Sequence, residues 1–157
     1  MMTSMNGGNS AQETKNTRSR LGREGEEAAS LFLQGLGWRL LERNWRPGGT
    51  FHRLELDLIG MEGDALIFVE VKTRRYSHER DRAAFPVYAA FTARKRHNLI
   101  QASRLYRSSR GLWDLPCRFD LVCVEILPDG RQSVERHRNV IEFGHTVDCG
   151  HTPWQPW

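Results

Sequence analysis

Two apolar runs with strand-like composition lie close together near the middle of the chain. Residues 54–60 and residues 65–73 are rich in branched apolar side chains. Between them, Gly63-Asp64 is a dipeptide suited to the two-residue loop of a β-hairpin. The pattern therefore predicts two antiparallel strands joined by a tight turn.

The register of this hairpin sorts its side chains into two faces, because successive residues of a strand point to opposite sides. One face is predicted to be fully apolar: Leu54, Leu56, Leu58, Ile67, Val69 and Val71. The other is apolar near the turn, through Ile59, Leu66 and Phe68, and charged at its far end, through Glu55, Asp57, Glu70 and Lys72. Counting outward from the turn places Asp57 opposite Glu70 and Glu55 opposite Lys72.

The charged end of the hairpin is a candidate metal site. Carboxylates that face each other across an antiparallel pair repel, at a cost of up to about 1 kcal/mol. A divalent cation would offset this cost, because Mg²⁺ is bound through one or two carboxylates together with waters and substrate phosphate. The alternative is an ordinary cross-strand ion pair between Glu55 and Lys72, with Asp57 and Glu70 merely exposed. Spacing alone leaves both interpretations open.

The remaining periodicities predict the other elements of a mixed α/β domain with one central sheet. A helix is expected over 21–36, a strand over 38–45, a helix capped by Thr92 and ending near Ser109, and a buried strand over 117–126. Residues 134–143 fit either an edge strand or a short helix. The expected order is helix, strand, strand, strand, helix, strand.

Length and composition suggest one domain at residues 21–143 between two tails. The 157-residue chain is long enough for an unaided core, and its net charge of +4 permits a polyanionic partner. Residues 1–20 are polar and predict a disordered tail, and residues 144–157 predict a flexible one. With no long apolar segment, no signal peptide and no CxxC pair, we expect a cytoplasmic protein with reduced thiols at Cys117, Cys123 and Cys149. The spacing of His145, Asp148, Cys149 and His151 fits no standard zinc finger.

Positive charge is concentrated just after the hairpin. Residues 73–110 hold ten Lys or Arg against two acids. Basic clusters displace counterions from phosphates and dominate sequence-independent affinity for nucleic acid. This favours phosphate contact over a merely solvated surface and nominates six residues: Arg74, Arg75, Arg94, Lys95, Arg96 and Arg104. Stacking of Tyr76 and Phe85 on a base is a weaker hypothesis than their covering the core.

Asp57 followed by Glu70-Val71-Lys72 resembles the D-(x)n-E-x-K signature of restriction-endonuclease-like nucleases. More closely, the chain resembles the YraN family (UPF0102) of small bacterial proteins, which are similar to archaeal Holliday junction resolvases. The resemblance extends over about residues 21–126 and includes, in order, the segments 22–29, 37–45, 54–59, 68–74, 92–95 and 118–120. It departs from the family at Leu54, where glycine is usual, and in 76–86, which lacks the usual Phe-Gly pair.

The resemblance implies a restriction-endonuclease-like core and a metal-dependent endonuclease acting on branched or structured DNA. Asp57, Glu70 and the main-chain carbonyl of Val71 would hold Mg²⁺ or Mn²⁺, and Lys72 would act on the attacking water. Glu26 is expected to reach the metal through water; without the resemblance it is one of several acids near a helix start. Glu55 is either a further ligand or a partner of Lys72. The likeness to resolvases also suggests a homodimer.

Two other functions compete with hydrolysis. A nucleic-acid-binding module of the same fold without catalysis would share the basic segment, and metal binding would distinguish the two. A protein-interaction role would instead place an acidic partner on the basic surface.

Overall fold

The computed structural model describes residues 8–141, with side chains from residue 13 onward. Within this part of the chain, five strands form one mixed sheet in the order β1-β2-β3-β4-β5. Their bounds are β1 Arg39–Trp45, β2 Leu56–Glu62, β3 Ala65–Arg75, β4 Cys117–Ile126 and β5 Gln132–His137. Only the β3–β4 pair is parallel. The sheet and its flanking helices confirm the predicted α/β class.

Three helices accompany the sheet: α1 Gly8–Gly35, α2 Asp81–Ala84 and α3 Ala93–Arg110. Short 3₁₀ turns lie at Gly49–Phe51 and Val87–Ala90. Because β3 and β4 are parallel, the chain must cross over between them, and α3 belongs to that crossover. The Lys95 N–H donates to Thr92 Oγ1 at 3.3 Å, which confirms the predicted cap.

The hairpin register is confirmed from Glu62 opposite Ala65 to Leu58 opposite Val69. Past Leu58 the backbone pairing ends, and the Val71 N–H donates instead to the Asp57 side chain, at 2.8 Å from Oδ2. The predicted assignment of apolar side chains to one face is therefore wrong at the end of the hairpin away from its turn. Leu54 and Leu56 pack on the opposite side of the sheet from Leu58. Regular alternation holds only where the ladder holds.

Each face of the sheet carries its own core. The α3-side core contains Tyr106 of α3 and sheet residues such as Phe68 and Phe119. The α1-side core packs Ala29 and Leu33 of α1 against β2, β3 and β4. β4 divides its side chains between the two as predicted, with Phe119, Leu121 and Cys123 on the α3 side and Val122 and Val124 on the α1 side.

The first helix begins earlier than predicted. It starts at Gly8 instead of residue 21, so residues 8–20 are helical where a disordered tail was expected. All residues from 13 to 20 are exposed. From residue 13 to 20 the helix buries no side chain, so this part of the sequence shows no apolar periodicity that could have revealed it.

The carboxyl-terminal part of the domain is an edge strand, β5, which decides between the two predicted alternatives. The predicted turn before it forms at Asp129-Gly130, with the Arg131 N–H donating to Asp129 Oδ1 at 3.0 Å. Neither Cys117 nor Cys123 forms a disulfide bond. The predictions for residues 144–157, including Cys149, lie outside the described residues. None of the helices in residues 8–141 has an apolar stretch long enough to cross a bilayer.

A close approach at Gly25 fixes α1 against the sheet. A β-carbon added to Gly25 would lie 1.7 Å from Thr73 Oγ1 and 2.8 Å from Thr73 Cβ. Only a residue without a side chain allows the helix to come this near to β3. Gly25 therefore sets the distance between α1 and the strand that carries Glu70 and Lys72.

We expect Gly25→Ala to lower the free energy of unfolding by about 1–3 kcal/mol, the usual cost of overpacking. Urea denaturation measures this. Gly22→Ala is the matched control on the same helix, because nothing lies within 4 Å of the added methyl there. That control should instead stabilise by about 0.5–1 kcal/mol. Equal effects at the two positions would contradict the close-approach argument.

Candidate active site

Asp57 and Glu70 lie together at the end of the hairpin away from its turn. Both are buried, with exposed fractions of 8% and 1%. The Val71 N–H, next along the chain from Glu70, donates to Asp57 Oδ2 at 2.8 Å and ties the two strands at this point. The alternative with two exposed carboxylates is therefore excluded.

Two lysines converge on the Glu70 carboxylate. Lys72 Nζ donates to Oε1 at 2.6 Å, and Lys95 Nζ lies 3.1 Å from Oε2. Each carboxylate oxygen of Glu70 is therefore paired with one ammonium group. Oε2 is the more weakly held of the two, because its contact is longer, 3.1 Å against 2.6 Å.

Burial and neighbouring charges shift the pKa values of Asp57 and Lys95 in this pocket. Burial, reinforced by the nearby Glu70 charge, raises the pKa of Asp57 to about 7, although the Val71 N–H and Lys95 act against the rise. Burial alone would lower the pKa of Lys95, but the charges of Glu70 and Asp57 outweigh it and raise that pKa. At neutral pH the pocket holds a carboxyl group close to its titration midpoint beside a charged lysine.

The two remaining predicted acids have other partners. Glu26 of α1 accepts a hydrogen bond from Asn44 Nδ2 at 3.0 Å. Its charge still contributes to raising the pKa of Asp57, which places it near the pocket. Glu55 accepts from Arg46 Nη2 at 2.8 Å, so the proposed Glu55–Lys72 ion pair is wrong. Lys72 pairs with Glu70 because residues two apart on a strand share a face.

The donor set suits a hard cation that keeps part of its water shell. Among the described residues, no three His, Cys, Asp or Glu side chains converge in a way that could hold a metal by themselves. A pair of carboxylates is what Mg²⁺ commonly uses, with waters and substrate phosphate completing the octahedron, whereas a structural zinc site needs four protein ligands. Glu70 Oε2, which is the more weakly held oxygen of that carboxylate, fits the former together with Asp57.

The six basic residues nominated for nucleic acid occupy different environments. Arg94 is exposed and Arg104 is half-buried, both on α3. Arg74 donates to the Phe85 carbonyl at 2.7 Å, Arg75 pairs with Glu24, and Arg96 lies over the Phe91 ring. Lys95 belongs to the pocket itself. Tyr76 is buried, which fits its expected role in covering the core, while Phe85 is exposed.

Arg107 of α3 is a basic residue that faces the interior. It is buried and donates to the carbonyls of Leu112 and Trp113. Its role is structural, because it satisfies main-chain acceptors in the segment that follows the helix.

Sequence reasoning missed a second charged network, on the α1 side. Asp120, which is fully buried, and Glu62, which is half-buried, are held by Arg118 and Arg136 across β2, β4 and β5. Bonds from Arg136 and Arg118 lower the pKa of Glu62 to about 2. Arg138 also pairs with Glu62, so three arginines and two carboxylates form a network that joins the strands. The Thr92 cap placed Lys95 in the first turn of α3, but no signal in the sequence showed that this lysine meets Glu70.

Comparison with known proteins gives a consistent picture. A family profile described as "Uncharacterised protein family UPF0102" matches residues 25–124. A UPF0102 protein of Lawsonia intracellularis is 39% identical over 137 residues, which cover 87% of this chain and 96% of the relative. One of Nitratidesulfovibrio vulgaris strain DP4 is 41% identical over 143 residues, covering 89% and 97%. One of Symbiobacterium thermophilum is 44% identical over 112 residues, covering 71% and 87%.

We expect the raised pKa of Asp57 to make the metal-free protein less stable as pH rises. Between the unfolded pKa of about 3.9 and the folded value of about 7, the folded state keeps a proton that the unfolded chain has lost. Stability from this group is complete below pH 4 and lost by pH 7, at up to about 1.4 kcal/mol per pH unit. Asp57→Asn should match the wild type near pH 4 and exceed it at pH 8 in urea denaturation with EDTA.

Asp129→Asn is the control for this pH series. Asp129 is exposed in the β4–β5 turn, and bonds from Arg131 lower its pKa, so its linkage has the opposite sign. It should show no gain at pH 8. Parallel stability curves for the wild type and Asp57→Asn from pH 4 to 8 would contradict the assigned environment of Asp57.

Proposed function

The chain belongs to the UPF0102 family, and we propose that it is a metal-dependent endonuclease that hydrolyses DNA phosphodiester bonds, with branched or structured DNA as its substrate. The observation that carries the proposal is the pocket in which buried Asp57 and Glu70 meet two lysines. Two neighbouring buried carboxylates are costly to maintain for stability alone.

The residues that would hold the ion are Asp57, Glu70 and the carbonyl of Val71. Glu70 Oε2 is the oxygen best suited to this, because only the Lys95 ion pair occupies it. A bound Mg²⁺ or Mn²⁺ supplies Lewis-acid polarisation of a phosphoryl oxygen and lowers the pKa of a water. Glu26, beside the pocket, would bind such a water, and Glu55 stays a candidate for a further ligand.

Lysine chemistry completes the proposal. Lys72 Nζ is held at Glu70 Oε1 and would orient the attacking water and stabilise the added negative charge of the pentacovalent phosphorus. Lys95 Nζ brings a second positive charge from α3 to the same place. Preorganised charge of this kind acts strongly in a water-poor pocket, since little reorganisation is needed during the reaction.

A second candidate function has a specific observation in its favour. Each oxygen of Glu70 lies beside an ammonium group, so its charge is compensated within the protein itself. A module that binds DNA without hydrolysis would need no more than this. Metal binding therefore separates the two candidates, and salt dependence does not, because both would contact phosphates.

We expect purified protein with Mg²⁺ or Mn²⁺ to cleave at least one of linear, nicked and four-way DNA. Asp57→Asn and Lys72→Met should each lower the cleavage rate by at least about 10²-fold, the usual range for loss of a charged catalytic group. Single-turnover assays on labelled DNA measure this. The control Asp129→Asn removes a carboxylate outside the pocket and should cleave at the wild-type rate. The proposal fails if no DNA is cut, or if Asp57→Asn cuts as fast as the wild type.

Calorimetry without DNA should detect binding of Mg²⁺ or Mn²⁺. Because Asp57 must lose its proton to bind a cation, binding near pH 7 should release protons, visible as an enthalpy that varies with the buffer. Glu70→Gln should weaken the affinity, and its fold is checked by circular dichroism. If the protein binds DNA but neither metal, the non-catalytic module is the better description.

A further inference from the structure

A basic groove lies on the α1 side of the sheet, between the middle of α1 and the end of β3. It has a volume of about 840 Å³ and is lined by Thr17, Arg20, Leu21, Arg23, Glu24 and Arg75. On the helix, residues 17, 20, 21 and 24 have the spacing of a single face. The groove is thus formed by one side of α1 and by the last residue of β3.

The charge of this groove is positive, and two of its cations are uncommitted. Three guanidinium groups face one carboxylate, that of Glu24. Glu24 is itself occupied, since Oε2 lies 3.1 Å from Arg75 Nη2 and Oε1 accepts from Gln132 Nε2 at 3.2 Å. Among the described residues, Arg20 and Arg23 form no ion pair, and both are exposed. Glu24 therefore orients Arg75, while the other two can take an anionic partner.

The position of the groove ties it to the candidate active site. Arg23 is three residues before Glu26 on α1, about 4.5 Å along the helix axis. Arg75 and Thr73 lie on the α1 face of β3, opposite to the face that carries Glu70 and Lys72, because residues an odd number apart on a strand point to opposite sides. The groove and the pocket are therefore connected through α1, where the contact of Gly25 with Thr73 fixes the helix that carries both Arg23 and Glu26. The cations of the groove therefore have a fixed place relative to the pocket.

We propose that this groove, through Arg20, Arg23 and Arg75, binds the sugar-phosphate backbone of the nucleic acid whose phosphodiester is held in the pocket. The inference rests on the proposed function for its substrate class. Guanidinium groups bind phosphate oxygens in a bidentate manner, and several in a row match the repeating charge of a nucleic-acid strand. The exposed surface of α1 from residue 13 to 20 leaves the strand a path into the groove.

The test is the salt dependence of DNA binding in EDTA, where cleavage does not interfere. Fluorescence anisotropy with a labelled duplex and a labelled four-way junction gives the slope of log affinity against log salt. Each lost phosphate contact lowers the slope by about 0.9. The variant Arg20→Ala/Arg23→Ala/Arg75→Ala should lose about two to three units of slope and at least tenfold in affinity.

Arg131→Ala is the matched control, since it removes one exposed arginine on the β4–β5 turn that pairs with Asp129. It should leave the slope unchanged. A second variant, Arg20→Lys/Arg23→Lys, keeps the charge and should keep most of the slope. A triple variant that folds, as judged by its thermal transition, and binds with wild-type slope overturns the inference, as does a wild type that binds neither DNA.

Two further results separate this inference from the proposed function. If the protein binds DNA with the predicted slope change but never cleaves it, the groove assignment stands and the nuclease proposal fails. If the protein cleaves DNA and the triple variant binds DNA with the wild-type slope, the nuclease proposal stands and the groove assignment fails. Poly-glutamate that competes as well as DNA of equal charge would assign the groove to acidic polypeptides and overturn its assignment to nucleic acid.

Discussion

The burial of the Glu70 carboxylate is the constraint on which the candidate site depends. An isolated buried carboxylate costs several kcal/mol, which the protein offsets with Lys72 on one oxygen and Lys95 near the other. Asp57, which is itself buried and lies close to this charge, has its own pKa raised. The pocket therefore holds opposite charges whose pKa values depend on burial. A ligand that binds there must change the protonation or the contacts of these groups.

Several elements of the fold position the charged groups of the pocket. β3 supplies Glu70 and Lys72 on the α3 face, and the parallel partner β4 requires the crossover that delivers Lys95. On the other face, Gly25 lets α1 approach Thr73 and so brings Glu26 beside Asp57. The site is assembled from both sides of the sheet at the place where β2 separates from β3.

The local sequence pattern predicted most of the fold and part of the candidate site. The strand at 117–126 and the hairpin register followed from alternation and turn chemistry, and the Thr92 cap from its residue type. Non-local facts were not accessible in this way: the departure of Leu56 from its predicted face depends on where a ladder ends. Likewise, Lys95 looked like one more cation of a basic helix, since nothing in a single chain shows which lysine meets Glu70.

The dual pairing of Glu70 also links α3 to the proposed chemistry. A cation bound at Oε2 would share that oxygen with Lys95, so the ammonium would have to shift or accept a weaker contact. Lys95 sits in the first turn of α3, where its own N–H is bonded to Thr92. The position of that turn therefore influences the affinity for a metal as well as the charge offered to a phosphate. This coupling explains why a residue far along the chain from Asp57 and Glu70 belongs to the same site.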